Sequence, residues 1–421
     1  MLSQRLTSGE FTENLLEVAL ATSGMAPADR GLCHELVCGV VRWQATLDCL
    51  ITRKTTRPQP KSALQNLLRL GLYQIFWLDR IPPHAAVHET VELAKQSGFA
   101  AQAGFINAVL RGYLRETDEI RKILADLKLS KPALGHSHPD WLVDKWRNQY
   151  NPADLQKLLA WNNQPPPTFA RLNTLRGTAD QLRALWEAEQ VVAEPLVRDW
   201  TGENSVFELK SHPSLASLSS FRDGWFYLQD PSTLLAPAGL AAQPGETVLD
   251  LCAAPGGKTT LIAQSMQNTG RLIAQDIEPD RIKLIRENCR RLGVTIAETT
   301  LPGVHNPLQP PPEAFDRILV DAPCSNTGVL RRRVDLRWRI QPAELTRLQA
   351  TQSELLAQAA LRLRPGGVLV YSTCSLEPEE NSGVVKAFLA AHPQFRCESE
   401  RQLLPFVDQV DGAYVAVLRN T

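Results

Sequence analysis

The chain has 421 residues, 43% of them hydrophobic and 21% charged, which excludes wholesale disorder and predicts two or three domains. No run of about 18 apolar residues is present, and Met1–Leu6 leads into an acidic stretch, Glu10 to Glu17, so neither a membrane span nor a signal peptide is expected. Lysine plus arginine (45) balances aspartate plus glutamate (45), so a nucleic-acid partner would have to be held by local patches; the eight cysteines, with no CxxC pair and no Cys/His ligand spacing, read as reduced thiols of a cytosolic protein and not as disulfides or a metal site.

Residues 1–128 read as an all-α bundle. Leu15 and Leu16, then Leu36, Val37, Val40 and Val41, then Leu64, Leu67, Leu68 and Leu72 recur at helical spacing. Pro82-Pro83 breaks the pattern, a helix follows from Ala86 to Lys95, and Phe105 to Leu114 closes the bundle. Residues 129–164 form a polar linker with short helices around Trp141–Trp146 and Leu155–Trp161, and Pro165-Pro166-Pro167 marks a boundary. Residues 165–230 read as a small α+β subdomain with strands at 169–172, 206–209 and 225–228 around a helix from Ala179 to Glu189. Residues 231–421 alternate strand and helix: Thr247–Asp250, helix Thr259–Met266, Arg271–Asp276, helix Asp280–Leu292, Phe315–Asp321 and Gly367–Tyr371. That order predicts a parallel, Rossmann-like sheet covered on both faces. Residues 309–312 read as a short loop.

The strongest local signal is Asp250-Leu-Cys-Ala-Ala-Pro-Gly-Gly-Lys-Thr259 between a strand and a helix. Gly256 and Gly257 allow close backbone approach to a ligand, and the helix start offers free N–H donors. Asp276, ending the next strand, is placed to accept from ribose hydroxyls. The GxxxxGK[ST] spacing is absent, which argues against ATP and leaves an adenosine-containing cofactor such as S-adenosyl-L-methionine.

Asp321-Ala-Pro-Cys324 and Ser372-Thr-Cys-Ser375 each end an apolar strand, where ligands of open α/β sheets bind, so two thiols and a carboxylate converge beside the cofactor. One chemistry needs a thiol beside a methyl donor. C5 of a pyrimidine is a poor nucleophile until a thiolate adds to C6, and a carboxyl can hydrogen-bond the N3/N4 edge. A helix expected from Pro378 would favour the thiolate at Cys374, while Glu377, Glu379 and Glu380 oppose it. Two basic clusters offer phosphate contacts: Arg331-Arg-Arg-Val-Asp-Leu-Arg-Trp-Arg339, and Arg53, Lys54, Arg57 and Lys61.

The run Asp250–Thr259, the Asp-Ala-Pro-Cys at 321–324, and Thr373-Cys-Ser375 followed by Pro378-Glu-Glu-Asn381 resemble the Sun/Nop family of RNA cytosine-C5 methyltransferases, as does Gln229-Asp-Pro-Ser-Thr233. The segments at 69–74, 81–84, 91–95 and 105–111 are similar to the NusB helical RNA-binding domain. Together they resemble the bacterial members that act on 16S rRNA. The resemblance implies an RRM-like subdomain at 165–230 and a Rossmann-like class I methyltransferase at 231–421, with RNA selected and positioned by the NusB-like and RRM-like parts of a monomer. It also implies Cys374 as the nucleophile, Cys324 assisting release, and Asp321 touching both the target cytosine and the cofactor. Cys252, Ala253, Ala254, Pro255, Gly256, Gly257, Lys258 and Asp276 would hold S-adenosyl-L-methionine. One departure is that Leu301-Pro302-Gly303 carries a proline where the family has an acid near the adenine, which implies weaker cofactor binding. Two other classes stay open here: a non-catalytic RNA-binding or antitermination-type protein, and an amino-directed methyltransferase, although the latter usually has an (Asn/Asp)-Pro-Pro-aromatic turn and no thiol.

Overall fold

The computed structural model describes residues 1–55, 62–301 and 314–421. Arg57, Lys61, Pro302-Gly303 and the loop at 309–312 lie outside the described residues. The chain divides into two compact units, Met1–Pro165 with Leu330–Ile340, and Pro166–Val329 with Gln341–Thr421. Among the described residues no helix is long and apolar enough to cross a membrane.

The first unit is helical. Pro27–Arg42, Gln44–Lys54, Ser62–Trp77, Pro83–Gln96, Ala103–Arg115 and Thr117–Ser130 bury one stripe each, with Leu47, Leu68, Leu72, Ile106, Leu110 and Tyr113 fully inside. Burial of each such leucine contributes about 1.5–3 kcal/mol. Pro83 sits in the first turn of its helix, where a missing N–H costs nothing. The linker helices are Asp140–Arg147, and Pro152–Trp161 capped by the Asn151 side chain.

The segment Leu330–Ile340 packs inside this unit, which corrects the expectation of an RNA-facing arginine patch. Arg337 is fully buried and donates to Asn162 O (2.8 Å) and Asn163 Oδ1 (2.7 Å). Burial, with Arg42 nearby, pushes its guanidinium down to about 9. Arg331 lies 4.2 Å over the Trp161 ring, and Trp338 Nε1 donates to Val41 O at 2.7 Å. Asp335, fully buried, accepts from Arg5 Nε (2.6 Å), Arg339 Nη2 (2.9 Å) and Thr12 N and Oγ1 (3.1 Å each). The guanidiniums of Arg337 and Arg339 therefore turn inward, to carbonyls, an amide oxygen and one carboxylate, while Arg333 stays exposed. Asp335→Ala strands Arg5 without its anion and should destabilise this unit by about 3–5 kcal/mol. Urea unfolding followed by tryptophan fluorescence reads the shift, and a loss under about 1 kcal/mol, the worth of an exposed pair, contradicts it. In the second cluster, Arg53 pairs with Glu119 (3.0 Å) and Lys54 with Glu116 (2.6 Å), acids distant in sequence that offset the charge.

The second unit opens with β1 (Thr168–Leu172), β2 (Val192–Pro195), β3 (Val206–Ser211) and β4 (Phe226–Leu228) in the antiparallel order β2-β3-β1-β4, with helices Ala179–Ala188 and Ser219–Arg222 between them. This is the βαββαβ order expected of an RRM-like subdomain. β1 alternates: Ala170 and Leu172 pack against Leu182 and Trp186, whereas Phe169 packs with Val206, Leu234 and Leu261. Arg171 on that second face donates to Gly257 O (3.1 Å) and Thr260 Oγ1 (2.9 Å). Both faces of β1 are thus covered. On β1, therefore, the surface on which RRM-type domains stack bases is occupied by packing.

The larger sheet contains β5 (Thr247–Leu251), β6 (Arg271–Gln275), β7 (Ala297–Thr300), β8 (Phe315–Asp321), β9 (Leu363–Thr373), β10 (Phe395–Leu403) and β11 (Ala413–Asn420), in the order β10-β11-β9-β8-β5-β6-β7. β5 to β9 are parallel, but β11 runs antiparallel between β9 and β10, so the sheet is mixed. Successive residues feed opposite cores. Val248, Leu272 and Val370 pack with Ile262 and Ile285 on one face, and Leu249, Ile273 and Leu369 with Leu356 and Val385 on the other.

Candidate active site

Strand order reverses at β5, flanked by β6 and β8, and the crevice beyond the carboxyl ends of those strands is where open α/β sheets bind ligands. The segment Cys252 to Gly256 leaves β5 there. Cys252 takes φ +58, and Gly256 takes φ +101, a conformation L side chains rarely adopt. The helix that follows, Gly257–Ser265, begins two residues before the expected Thr259. Thr259 Oγ1 donates to Asp250 Oδ2 at 2.6 Å. Burial pushes the Asp250 carboxyl up to about 7 against that bond. Asp276, past the end of β6, is buried and accepts from Ala254 N at 3.1 Å, with Arg281 3.4 Å away. Asp250 Oδ1 is buried without a partner. The Asp250–Asp276 crevice therefore keeps acceptor capacity and a row of helix-start amides, a donor and acceptor set that fits an adenosine-bearing cofactor.

Asp321 ends β8 and Ser372 faces it across the β8–β9 ladder. Lys258 Nζ donates to Asp321 Oδ2 at 2.6 Å and Ser372 Oγ to Oδ1 at 2.9 Å. Burial works against charge on Lys258, but Asp321 beside it, and Cys374 and Asp250 further off, hold its ammonium above the ordinary lysine value. Burial and the carboxylates of Asp321, Asp276 and Asp250 push Cys252 up to about 12, so it stays a thiol.

Cys324 and Cys374 meet with their sulfurs 3.3 Å apart. They differ in surroundings: Cys374 is half-buried, while Cys324 is 9% exposed. The hydrogen bond to Cys374, burial and the nearby Glu380 push the Cys324 thiol well above the ordinary cysteine range. Close packing seats the Cys374 loop. Gly328 N donates to Cys374 O (2.9 Å) and Gly412 N to Gly328 O (2.9 Å), and a Cβ on Gly328 would stand 2.7 Å from Cys374 O. The helix expected from Pro378 begins instead at Ser382; residues 378–381 form a turn held by Thr373 Oγ1 to Asn381 Oδ1 (2.5 Å) and Asn381 Nδ2 to Ser375 O (2.9 Å).

The structure thus brings the thiols, Asp321 and Lys258 to the ends of β5, β8 and β9, with Asp276 at the end of the adjacent β6. It adds residues that sequence reasoning missed. Asn326, in the left-handed region at φ +57, accepts from Cys374 Sγ (2.9 Å) and donates to Cys324 O (2.7 Å). Ser325, Ser375 and Glu380 form a buried cluster beneath the thiols. Asn tolerates the left-handed region, which is a weak local signal for Asn326; the Pro-Glu-Glu-Asn run pointed to Glu380 without giving it a task.

Family models match the chain in three stretches: NusB family over residues 1–115, the RsmF/B-like ferredoxin-like domain over 138–199, and 16S rRNA methyltransferase RsmB/F over 237–419. Ribosomal RNA small subunit methyltransferase B of Escherichia coli is 35% identical over 98% of this chain and 98% of its own length. The chain belongs to the RsmB/F family of 16S rRNA methyltransferases. As an RsmB/F member it also matches a Synechocystis protein named "Probable ribosomal RNA small subunit methyltransferase B", 38% identical over 92% of this chain and 87% of that one. Its fold is shared with the crystal structure of a methyltransferase homolog protein from Pyrococcus horikoshii, with TM-score 0.59 and 29% identity, covering 69% of this chain and 97% of the other. The NusB-like, ferredoxin-like and methyltransferase parts of an RsmB/F enzyme are all present.

Proposed function

We propose that this chain methylates C5 of a cytosine in 16S rRNA through a transient bond between Cys374 and C6. The observation that carries this reading is the sulfur–sulfur contact of 3.3 Å between two thiols of unlike surroundings, beside a carboxylate at the strand ends. The Cys374 thiolate adds to C6, forming an S–C6 bond and placing an electron pair on C5. Asp321, set by Lys258 and Ser372, accepts from the exocyclic amine and so holds the base in the orientation that addition needs. S-adenosyl-L-methionine, when bound, supplies an electrophilic methyl group. Residues 252–258 and Asp276 would hold it by backbone amides and a carboxylate, with Asp321 in reach of both ligands. Solvent takes the C5 proton, its C–H electron pair forms the C5=C6 double bond as the S–C6 bond breaks, and Cys324, kept as a thiol, assists by donating to the departing Cys374 sulfur. The base must leave its stack to reach Cys374, so the substrate is a flexible or unassembled RNA region.

The four working parts are residues 1–128, 129–164, 165–230 and 231–421, acting as a monomer in the cytoplasm. Bisulfite sequencing of 16S rRNA from cells with and without this gene should show one protected cytosine lost on deletion. Mass spectrometry of digested RNA should show 5-methylcytidine at that site. N4-methylcytidine, or no lost protection, overturns the assignment.

A further inference from the structure

Beyond Asp321 and Ser372, the last residues that β8 and β9 pair with each other, two loops leave the strands, joined to each other by Gly328 N to Cys374 O (2.9 Å) and Leu376 N to Thr327 Oγ1 (2.9 Å). The loops bear the thiols, and a third element lies beneath both. Glu380, from the 378–381 turn, is fully buried with no cation paired to it among the described residues. Its Oε1 accepts from Ser325 N (2.9 Å) and Gln352 Nε2 (3.0 Å); its Oε2 accepts from Ser375 Oγ (2.5 Å) and Ser325 Oγ. Four donors on two oxygens is the set a buried carboxylate needs when no cation is at hand. Two of those donors come from Ser325, the residue after Cys324, and one from Ser375, the residue after Cys374. Gln352 also holds the Cys324 loop through Pro323 O (2.9 Å), and Tyr371 OH anchors the backbone carbonyl of Glu380 at 2.6 Å. The two serine hydroxyls are themselves 3.0 Å apart.

We propose that Glu380 is a positioning residue that clasps the two thiol-bearing loops together, and so sets the separation between Cys324 and Cys374. The proposal rests on the two-thiol reading above for its consequence in the reaction, but not for its geometry. A burial this costly is kept because it ties two loops at one point. Without the clasp, the segments at Ser325 and Ser375 lose their common buried anchor and the sulfurs part, although Gly328 N still bonds Cys374 O; the RNA-binding and cofactor-binding residues, which are others, stay in place.

The test uses phenylarsine oxide, an arsenical that closes on two thiols in contact, with capture read by intact-protein mass and assigned by its loss in Cys324→Ala. The full chain should bind one arsenical at this pair. Glu380→Ala should slow capture and kcat by roughly 100-fold, as expected for a misplacement on the scale of an ångström, with RNA affinity and KM within about twofold. Glu380→Gln, of equal shape and able to bond both loops once the hydroxyls turn, should recover most of both. Ser375→Ala cuts the tie from Glu380 to the Cys374 loop, together with the hydroxyl's contact to Ser325 and its bond from Glu377 N (3.0 Å), leaves Glu380 three donors, and should give an intermediate loss; it also serves if Glu380→Ala fails to unfold cooperatively. Capture in folded Glu380→Ala or Ser375→Ala at the rate of the unaltered chain overturns the proposal, as does a Glu380→Gln variant as impaired as the alanine. Capture that depends on Glu380 in a chain that methylates no RNA leaves the clasp standing and removes the methylation reading instead.

Discussion

Cys374→Ala is expected to abolish methyl transfer, lowering kcat on the order of 10⁴-fold or more, while RNA affinity changes by less than about twofold. The separation of effects follows from what the side chain does. On the proposed reading its sulfur would supply the bond that makes C5 nucleophilic, and no neighbouring group could substitute: Cys324 is buried and held as a thiol, and Asn326 carries no ionisable proton. Removing one half-buried sulfur leaves the backbone of the loop in place, because Gly328 N still bonds residue 374's carbonyl. Transfer of label from a methyl donor to 16S rRNA, run beside a filter-binding titration, measures both quantities. Retained transfer, or parallel loss of binding, contradicts the assignment.

Cys324→Ala should give the opposite phenotype, a covalent protein–RNA adduct that survives denaturing electrophoresis. In the proposed reaction, attack by Cys374 would need only its own thiolate, whereas release would be assisted by a proton donor beside the departing sulfur. Cys324 is the group in van der Waals contact with it, kept protonated by its bond to Cys374, burial and Glu380. Without it the adduct outlives turnover. The band should vanish in the Cys324→Ala/Cys374→Ala double variant, and its absence from the single variant would falsify the division of labour between the two sulfurs.

Much of this was legible because local physics and fold agree. Val248-Leu249 and Ile318-Leu319-Val320 form the middles of strands buried on both faces, which need consecutive apolar residues there. The glycines and the following lysine mark the turn that opens the cofactor crevice. Other features carried no local mark. β10 (Phe395–Leu403) is charged and largely exposed, held by pairing with β11, and β11's reversed direction is set by its neighbours. The arginine-rich run reads as a phosphate-binding face because the groups that satisfy Arg337, at Asn162 and Asn163, lie 174 or 175 residues earlier. Glu380 counted as one of three acids opposing a thiolate, and only the fold shows that its four donors bind it to both loops.

The excursion at residues 330–340 bears on where this chain can be divided. A helical module joined to an enzyme by a simple linker could be lost, swapped or encoded separately. Here the enzyme's own chain supplies Val334, Arg337 and Trp338 to the interior of that module. A recombination breakpoint near residue 165 would leave one product with an open slot and the other with an indole and a guanidinium uncovered. In this chain, a cut at that place therefore leaves the helical unit incomplete.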